Sequence, residues 1–282
     1  MLKKTFKILS AFLILFIALL GYAYFIEPNT LKIENQTIKL NCLKKDLPDR
    51  FVQISDLHFT RETKETRISQ IYEAIKSQNP AAVFVTGDLV SDDTGMEKAV
   101  ELIGKISASY KTFVIFGNWD YWALDYGVGE LKTRLEAVGA KVLINSSEKI
   151  VSGNETLSIL GVKDPYTSGE LKGDLEKAEK NLDEGDKNCR ILLAHSPNII
   201  KEAADKNIDL VLAGHTHGGQ VYIPFLTKYI IPAKRPAGKG FIKGLYTIGN
   251  TQMYINRGIG MSVLPFRFLV PPEVTVIKLE KQ

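Results

Sequence analysis

No stretch of this sequence concentrates charge of one sign. Its 282 residues include 36 lysine and arginine residues against 32 aspartate and glutamate residues, so the net charge is only +4. Proteins that bind nucleic acid usually carry a concentrated basic face, and we therefore expect no nucleic-acid partner. The small positive excess is compatible with anionic substrates or with an anionic membrane surface.

Cysteine is nearly absent as well. The chain has only Cys42 and Cys189, which are far apart in the sequence and form no CxxC motif. Two isolated cysteines do not make a disulfide framework, and we interpret them as two unrelated buried thiols. The sequence also has no internal repeat and no low-complexity tract, so repeat architectures are not expected.

Long apolar runs are confined to the N-terminus. Residues 8–26 form an uncharged apolar stretch of 19 residues, which is long enough to cross a bilayer as a helix. We therefore predict a membrane anchor over residues 1–28 and one globular domain over residues 29–282. The alternative is a cleaved signal peptide with a site at 21–23, but the stretch is longer than a usual signal-peptide core.

The lysines before this stretch predict its orientation. Lys3, Lys4 and Lys7 precede the apolar residues, and positive charge favours the inner side of a membrane. This bias places the N-terminus inside and the globular domain outside a single-pass plasma-membrane anchor.

Short apolar strands alternate with amphipathic helices beyond residue 50. This alternation predicts an α/β fold in which helices pack on a sheet. The predicted strands lie at 51–54, 82–85, 112–116, 191–194 and 210–213, with helices at 66–77, 96–106, 130–138, 171–182 and 199–205. We also predict an edge strand or hairpin at 31–40, a hairpin at 149–160, and short strands at 220–223, 245–248, 253–256 and 274–279.

All four histidines of the chain lie just beyond predicted strand ends or in the motif that follows one. In open α/β sheets the carboxyl ends of the strands form the ligand-binding edge. Imidazole and carboxylate groups are ligands that suit Zn, Mn and Fe. The blocks occur in the order Asp56-Leu57-His58, Gly87-Asp88, Gly117-Asn118, Ala194-His195-Ser196 and Gly214-His215-Thr216-His217.

In this order the blocks resemble the motifs of the calcineurin-like metallophosphoesterase superfamily. The resemblance covers nearly everything from about residue 51 to the C-terminus. It implies a four-layer α-β-β-α sandwich, in which two mixed sheets pack face to face with helices outside, after the N-terminal transmembrane helix. It also implies that residues 29–282 form a catalytic domain.

The resemblance implies a centre for two divalent metal ions, which would be Mn, Zn or Fe. One ion would be bound by Asp56, His58, Asp88 and His217. The other would be bound by Asp88, Asn118, His195 and His215. Asp88 would bridge the ions, and Asp88, Asn118 and His195 would be the catalytic residues. Two such ions lower the pKa of a shared water that attacks phosphorus in line, and they clamp the phosphoryl oxygens.

The residue after Gly117-Asn118 departs from the family pattern. Most members have histidine there, paired with the acid that follows, whereas this chain has Trp119 followed by Asp120. Indole donates a hydrogen bond but cannot deliver a proton to a leaving group. Either another donor replaces the histidine, or the leaving group needs no proton, as in a phosphoanhydride. We expect Trp119 and Asp120 to line the substrate site.

Trp122, Arg257 and the segment 221–241 each have two possible interpretations. Trp122 either stacks on a nucleobase with Trp119 or belongs to the core. Arg257 either meets a substrate phosphate or forms a surface ion pair. The segment 221–241 combines apolar and basic residues, which suits a loop at a lipid interface or a long ordered loop over the core.

The predicted function is a membrane-anchored, dinuclear metal-dependent hydrolase of phosphoanhydride or phosphodiester bonds. The substrate would be a phosphate-containing small molecule or lipid, with the membrane contacted through residues 8–26. The resemblance to the membrane-anchored branch suggests UDP-2,3-diacylglucosamine pyrophosphate hydrolysis in lipid A synthesis, which would require the cytoplasmic face. A broad-specificity envelope phosphodiesterase fits the outer face. A metal-binding scaffold without turnover is the alternative from another class.

Overall fold

The computed structural model describes residues 2–124, 127–180, 182, 188–223 and 240–282. Twelve strands within these residues form two six-stranded sheets. The first sheet contains β1 (Lys32–Leu40), β2 (Arg50–Ile54), β3 (Ala82–Thr86), β4 (Lys111–Ile115), β5 (Lys141–Val142) and β12 (Glu273–Lys281). The second contains β6 (Ser146–Ser152), β7 (Glu155–Gly161), β8 (Cys189–Leu193), β9 (Leu210–Ala213), β10 (Gly244–Ile248) and β11 (Thr251–Ile255).

Both sheets are mixed. The first has the order β1-β12-β2-β3-β4-β5, in which β2 to β5 are parallel and β12 runs antiparallel to β2. The second has the order β10-β11-β9-β8-β7-β6, in which β7, β8, β9 and β11 are parallel and the two edge strands are antiparallel. The parallel strands of each sheet therefore end at one shared edge.

The α-helices of the described residues are, in chain order, α1 (Leu2–Gly21), α2 (Glu65–Lys76), α3 (Met96–Ser107), α4 (Asn118–Ala123), α5 (Val128–Ala137), α6 (Pro165–Ser168), α7 (Leu171–Glu179) and α8 (Ile200–Asp205). Helices α2, α3 and α5 cover the outer face of the first sheet, and α7 and α8 cover that of the second. Helix α2 buries residues at helical spacing against the first sheet, namely Ile68, Ile71 and Ile75. Helix α7 ends three residues earlier than predicted, and Lys180 caps it.

Alternation along the strands divides the core into three layers. In β3, Val83 and Val85 pack under the helices α2, α3 and α5, whereas Phe84 faces the second sheet. In β8, Leu193 faces the first sheet and Leu192 packs under α7 and α8. Successive side chains of a strand point to opposite faces, so strands covered on both faces are apolar throughout. The predicted four-layer α-β-β-α sandwich is confirmed.

The N-terminal helix stands apart from this core. Helix α1 continues through a π-helical turn at Tyr22–Ile26 and a 3₁₀ turn at Glu27–Asn29. Residues 3–29 are long and apolar enough to cross a membrane, with a mean hydropathy of 2.4. Most side chains of α1 are exposed.

The interpretation of the two cysteines as unrelated thiols is wrong. Cys42, in the connection after β1, and Cys189, at the start of β8, form a disulfide across 147 residues of sequence. Sheet packing brings the two positions to a Cα–Cα distance of 5.2 Å, within the range that a disulfide requires. Sequence spacing carries no signal of this approach.

The strand predicted at 220–223 is also wrong. Gln220 has a left-handed backbone, with φ of 60°, and the segment before it forms a 3₁₀ turn at His217–Gly219. Among the described residues, Val221 pairs only through an isolated bridge to Phe268. The turn that positions His217 thus replaces the extended backbone that the apolar residues suggested.

Candidate metal centre

Each candidate ligand lies just beyond a strand end, at the edge where the two sheets meet. Asp56 and His58 follow β2, and Asp88 follows β3. Asn118 opens α4 directly after β4. His195 follows β8, and the pair His215 and His217 follows β9. The strand order β2-β3-β4 in one sheet and β8-β9 in the other brings all seven side chains to one place.

The backbone is unusual at five of these residues. Asp56, His58, Asp88, His215 and His217 have φ values of 51°, 48°, 54°, 69° and 50°. Residues other than glycine rarely adopt this left-handed region. Strained backbone of this kind concentrates at functional sites because the surrounding structure must enforce it.

Three glycines allow the strand-end loops to approach each other. A Cβ on Gly87 would lie 2.7 Å from Nδ1 of His195, and one on Gly117 would collide with the Asp88 carboxylate. A Cβ on Gly214 would overlap the Ser55 hydroxyl and the carboxylate of Asp56. Space therefore requires glycine at all three positions.

The first trio of candidate ligands consists of Asp56, His58 and His217. Their donor atoms lie within 4.8 Å of one another. His58 Nε2 and His217 Nε2 are 3.1 Å apart, and His217 Nε2 is 3.3 Å from an oxygen of Asp56. Two imidazole nitrogens facing each other beside a carboxylate form an arrangement that suits a divalent cation.

The second trio consists of Asp88, His195 and His215, which also converge within 4.8 Å. His195 Nε2 lies 3.3 Å from His215 Nδ1. The side-chain oxygen of Asn118 lies 2.8 Å from the same His215 nitrogen. Asn118 thereby adds a fourth oxygen or nitrogen donor to this group.

Asp88 lies between the two trios. Its Oδ2 atom is 3.1 Å from His195 Nε2 and 3.5 Å from His58 Nε2. Its other oxygen accepts a hydrogen bond of 2.8 Å from the backbone N–H of Trp119. One carboxylate oxygen thus faces ligands of both groups.

Further contacts hold the ligands in place. His195 Nδ1 lies 2.8 Å from the carbonyl oxygen of Thr86, and His58 Nδ1 lies 3.1 Å from the Ser91 hydroxyl. A partner on one ring nitrogen fixes the imidazole so that its other nitrogen faces the site. The backbone N–H of His215 donates to Asp56 at 3.0 Å.

Burial and mutual repulsion perturb the ionisable groups of the site. Burial raises the pKa of Asp56 to about 6 and lowers the pKa of His58 to about 4. Burial likewise holds the pKa of His217 well below its usual range. Burial would lower the pKa of His195, but the charge of Asp88 and other carboxylates holds it well above the usual range. Buried carboxylates together need compensating positive charge.

Asp120 lies beneath the site instead of lining the cleft. Its side chain is fully buried. The carboxylate accepts hydrogen bonds from the backbone N–H groups of Leu89 at 2.8 Å, Gly117 at 2.9 Å and Val90 at 3.2 Å. Burial, with the nearby charge of Asp88, raises its pKa to about 7. These bonds connect the loop after β3, which carries Asp88, to the loop after β4, which carries Asn118.

Aromatic side chains flank both trios. The Trp119 ring is half-buried, with its centroid 5.6 Å from that of His58. Tyr166, on α6, lies 5.3 Å from the His215 ring and 5.6 Å from Trp122. Trp122 is exposed, which excludes the interpretation of Trp122 as a core residue. Tyr166 was not identified from the sequence because nothing in its neighbourhood marks α6 as adjacent to His215.

Arg257 does not join the ligand group. It forms ion pairs with Glu34 and Glu273. Arg257 therefore forms ion pairs, as in the second interpretation, but its side chain is only 15% exposed and Glu273 is buried, so the site is not a surface ion pair. A different arginine reaches the site: Arg267 is fully buried, with Nη2 3.5 Å from Nδ1 of His217. No motif in the sequence marks Arg267.

The predicted lipid-contacting segment 221–241 lies largely outside the described residues. The structure describes only its ends, 221–223 and 240–241. At its start, Tyr222 and Ile223 are exposed, and Lys243 Nζ lies 4.9 Å from the centroid of the Tyr222 ring.

Comparison with known proteins agrees with the geometry. A family model described as calcineurin-like phosphoesterase matches residues 49–219. The metallophosphoesterase YkuE of Bacillus subtilis (strain 168) is 32% identical over 92% of this chain and 89% of its own length. The phosphodiesterase YaeI of Escherichia coli (strain K12) is 28% identical over 92% of each chain.

Among solved structures, the NAD nucleotidase of Haemophilus influenzae superposes with a TM-score of 0.53. Its sequence identity is 14%, over 77% of this chain and 46% of that one. At this identity the likeness concerns the fold alone, and it matches the two-sheet architecture described above.

Proposed function

Because the chain belongs to the calcineurin-like phosphoesterase family, we propose that its strand-end centre binds two divalent cations and hydrolyses phosphodiester or phosphoanhydride bonds of an amphiphilic substrate. The observation that carries the proposal is the position of Asp88, whose Oδ2 atom faces His195 at 3.1 Å and His58 at 3.5 Å. A carboxylate between two ligand groups is suited to bridge two cations.

The residues present fit a pair of metal ions. The proposed first set is Asp56, His58, Asp88 and His217, and the second is Asp88, Asn118, His195 and His215. Burial keeps His58 and His217 neutral at pH 7, which is the form that binds a metal. When bound, such ions polarise phosphoryl oxygens and lower the pKa of water. The donor types suit Mn, Zn or Fe.

The protein's own residues then hold the ligands and shape the cleft. Asp120 is a positioning residue, because its three backbone hydrogen bonds fix the loops that carry Asp88 and Asn118. Trp119 lies beside His58 of the first trio, and Tyr166 lies beside His215 of the second. We assign them contacts with the group attached to phosphate, since aromatic faces stack on planar groups and cover apolar ones.

The preferred leaving group follows from Trp119. A general acid contributes about 10²–10⁴-fold where a leaving oxygen must be protonated. The indole of Trp119 cannot supply that proton. Substrates with weakly basic leaving groups, such as phosphoanhydrides or activated diesters, are therefore favoured over simple alkyl diesters.

The disulfide supports a position for the domain on the outer side of the plasma membrane. Disulfides persist in oxidising compartments and are rare in the cytosol, and the only two cysteines of the chain form one. The lysines before the apolar helix favour the same side. An envelope lipid or wall phosphate compound with a weakly basic leaving group is then the leading substrate class, ahead of a UDP-lipid made on the cytoplasmic side.

One experiment tests the reaction. Full-length protein in detergent with Mn²⁺ is assayed on bis(p-nitrophenyl) phosphate and, separately, on UDP-2,3-diacylglucosamine. We expect aryl diester cleavage to exceed UMP release. The activity of Asp88→Ala should be at least about 10²-fold lower than that of the wild type. Asp205→Ala, on the exposed end of α8, should retain the wild-type activity.

Other outcomes would change the proposal in distinct ways. Rapid UMP release would move the substrate to the UDP-lipid and the domain to the cytoplasmic face. Metal binding without hydrolysis of either substrate would identify a scaffold instead of an enzyme.

A further inference from the structure

One loop next to the N-terminal helix exposes apolar side chains and carries a single charged residue. The segment 261–270, here called the 261–270 loop, contains no acidic residue, and Arg267 is its one basic residue. Val263, Leu264 and Leu269 are 81%, 54% and 47% exposed. Exposed apolar residues that are contiguous mark interaction surfaces more often than isolated ones do.

Arg267 points away from this apolar face. It is fully buried. Its guanidinium donates to the carbonyl oxygens of Val270 at 3.0 Å, Arg257 at 3.0 Å and Gly258 at 3.2 Å, and also to that of Gly260. A loop on an aqueous surface would normally place its cation in water and its apolar side chains inward. In this loop the cation is buried and three of the apolar side chains are exposed.

The loop packs on the end of the apolar helix. The Tyr22 and Phe268 rings are 6.4 Å apart, and the Tyr24 and Phe266 rings are 5.5 Å apart. The backbone N–H of Arg267 donates to the Ala23 carbonyl oxygen at 3.0 Å. The exposed apolar face of the loop is therefore continuous with the apolar surface of the helix.

A buried carboxylate secures this junction. Glu27 follows the π-helical turn and is almost fully buried. Its side chain accepts hydrogen bonds from the backbone N–H groups of Leu269, at 2.8 Å, and Val270. The helix end and the loop thus form one packed unit, not two elements joined only by sequence.

The same loop is bonded to the metal-binding segment. The backbone N–H of Phe268 donates to the Gln220 carbonyl oxygen at 3.1 Å, and the N–H of Ser262 donates to the Gln220 side chain at 3.3 Å. The Gln220 amide also donates to the Leu264 carbonyl oxygen. Gln220 lies three residues after His217, and Arg267 contacts His217 directly at 3.5 Å.

We propose that the 261–270 loop is a second membrane contact, which inserts Val263, Leu264 and Leu269 at the bilayer surface beside the helix. An apolar face next to aromatic residues suits the boundary between headgroups and acyl chains. The bonds to Gln220 and His217 hold the metal centre close to that boundary. The substrate class is then a phosphate ester presented by the lipid bilayer, a conclusion that rests on the proposed function.

Site-specific fluorescence tests the membrane contact. Full-length V263C protein is labelled with bimane and reconstituted into phosphatidylcholine–phosphatidylglycerol vesicles that carry nitroxide lipids. V151C is the matched control, because Val151 is also an exposed valine, 65% exposed, on the edge strand β6 of the second sheet. We expect at least twofold stronger nitroxide quenching at position 263 than at position 151.

Equal, weak quenching at both positions would overturn the membrane contact. Weak quenching at 263, together with cross-linking between V263C chains, would show that a second copy covers the loop, and this result also overturns the proposal. The existing cysteines form a disulfide, so the label reports the introduced thiol.

An activity ratio tests the substrate class. The double variant Val263→Asp/Leu264→Asp is compared with Val151→Asp on two diesters that share a p-nitrophenolate leaving group. One is soluble p-nitrophenyl ethyl phosphate, and the other is p-nitrophenyl hexadecyl phosphate in vesicles. We expect at least tenfold lower activity of the double variant on the vesicle substrate, with less than twofold change on the soluble one.

The outcomes separate this inference from the proposed function. Equal loss on both substrates would show that the loop serves only the integrity of the centre, and the substrate class would be wrong. If the wild type cleaves neither diester, the proposed function fails, whereas nitroxide quenching still decides whether the loop contacts the bilayer.

Discussion

At the residue scale, the site is built on backbone conformations that are unfavourable in isolation. Five candidate ligands have positive φ values between 48° and 69°. Each conformation of this kind costs on the order of 1–3 kcal/mol and persists only where surrounding contacts enforce it. Hydrogen bonds such as His215 N–H to Asp56 and Trp119 N–H to Asp88 provide that enforcement.

The requirement for glycine at position 214 can be tested by adding one methyl group. Gly214→Ala places a Cβ against the Ser55 hydroxyl and the Asp56 carboxylate. We expect at least about tenfold weaker Mn²⁺ affinity, because a displaced ligand costs upwards of about 1.4 kcal/mol. Titration calorimetry measures the affinity.

The control for that substitution is Gly129→Ala. Gly129 lies within α5 with no neighbouring atom within 4 Å of an added Cβ. Alanine there should be neutral or stabilise by about 0.5–1 kcal/mol, because glycine is costly inside a helix. Unchanged metal affinity in Gly214→Ala would show that the Cβ is accommodated.

The role of Trp119 is tested by restoring an imidazole. Trp119→His should gain about tenfold or more on simple alkyl diesters and lose nothing on pyrophosphates, because a general acid helps only where the leaving group is basic. Trp122→His, at the exposed neighbour, should not give this gain on alkyl diesters. A wild type that cleaves alkyl diesters faster than any pyrophosphate would refute the leaving-group hypothesis.

At the scale of elements, strand order and loop contacts decide which residues meet. β2, β3 and β4 are parallel neighbours in the first sheet, and β8 and β9 are parallel neighbours in the second. Parallel neighbours end at the same edge, so the loops after them converge. The disulfide adds a covalent link between the segment after β1 and the start of β8. Strand β1 belongs to the first sheet and β8 to the second.

That link makes a measurable contribution to stability. Replacing Cys42 and Cys189 by serine should lower the free energy of unfolding by about 2–5 kcal/mol, because the closed loop spans 147 residues and the unfolded chain regains its entropy. Urea denaturation in detergent measures the change.

Reduction supplies the control for this variant. Dithiothreitol should destabilise the wild type by a similar amount and leave the double serine variant unchanged. Two thiols that react with maleimide in membranes prepared under non-reducing conditions would contradict the disulfide and, with it, the outer location.

At the scale of the whole molecule, the sandwich buries several carboxylates at the junction of its sheets. Asp56, Asp88 and Asp120 are all almost completely buried, and burial with mutual charge raises the pKa of Asp56 to about 6 and that of Asp120 to about 7. Buried negative charges destabilise a fold unless cations compensate them.

Metal removal should therefore lower the stability of the entire domain. Mn²⁺ at about 100 times its dissociation constant should stabilise the folded protein by about 2.7 kcal/mol relative to the chelated protein. Thermal unfolding with EDTA and with Mn²⁺ measures the difference. Asp88→Ala should abolish the Mn²⁺-dependent increase in Tm, and an equal increase in both proteins would show that Mn²⁺ binds elsewhere.

The sequence by itself determined the features that local chemistry encodes. Apolar periodicity predicts β3 and α2 because burial on one or both faces requires that pattern. The order of the histidine and carboxylate blocks predicts the family. Each block can be placed at a strand end because the apolar pattern of the strand before it is local. The uncharged run at 8–26 predicts a helix long enough to span a membrane, because length and composition are also local properties of the sequence.

Only the tertiary structure decided which distant residues meet. The disulfide joins residues that are 147 positions apart. Tyr166 contacts His215 across 49 positions, and Arg267 approaches His217 across 50. No local pattern encodes these contacts, because they depend on how two sheets and the loops between them pack. The same packing turned Arg267 inward and left Val263 and Leu264 exposed beside the apolar helix, an arrangement that composition alone does not specify.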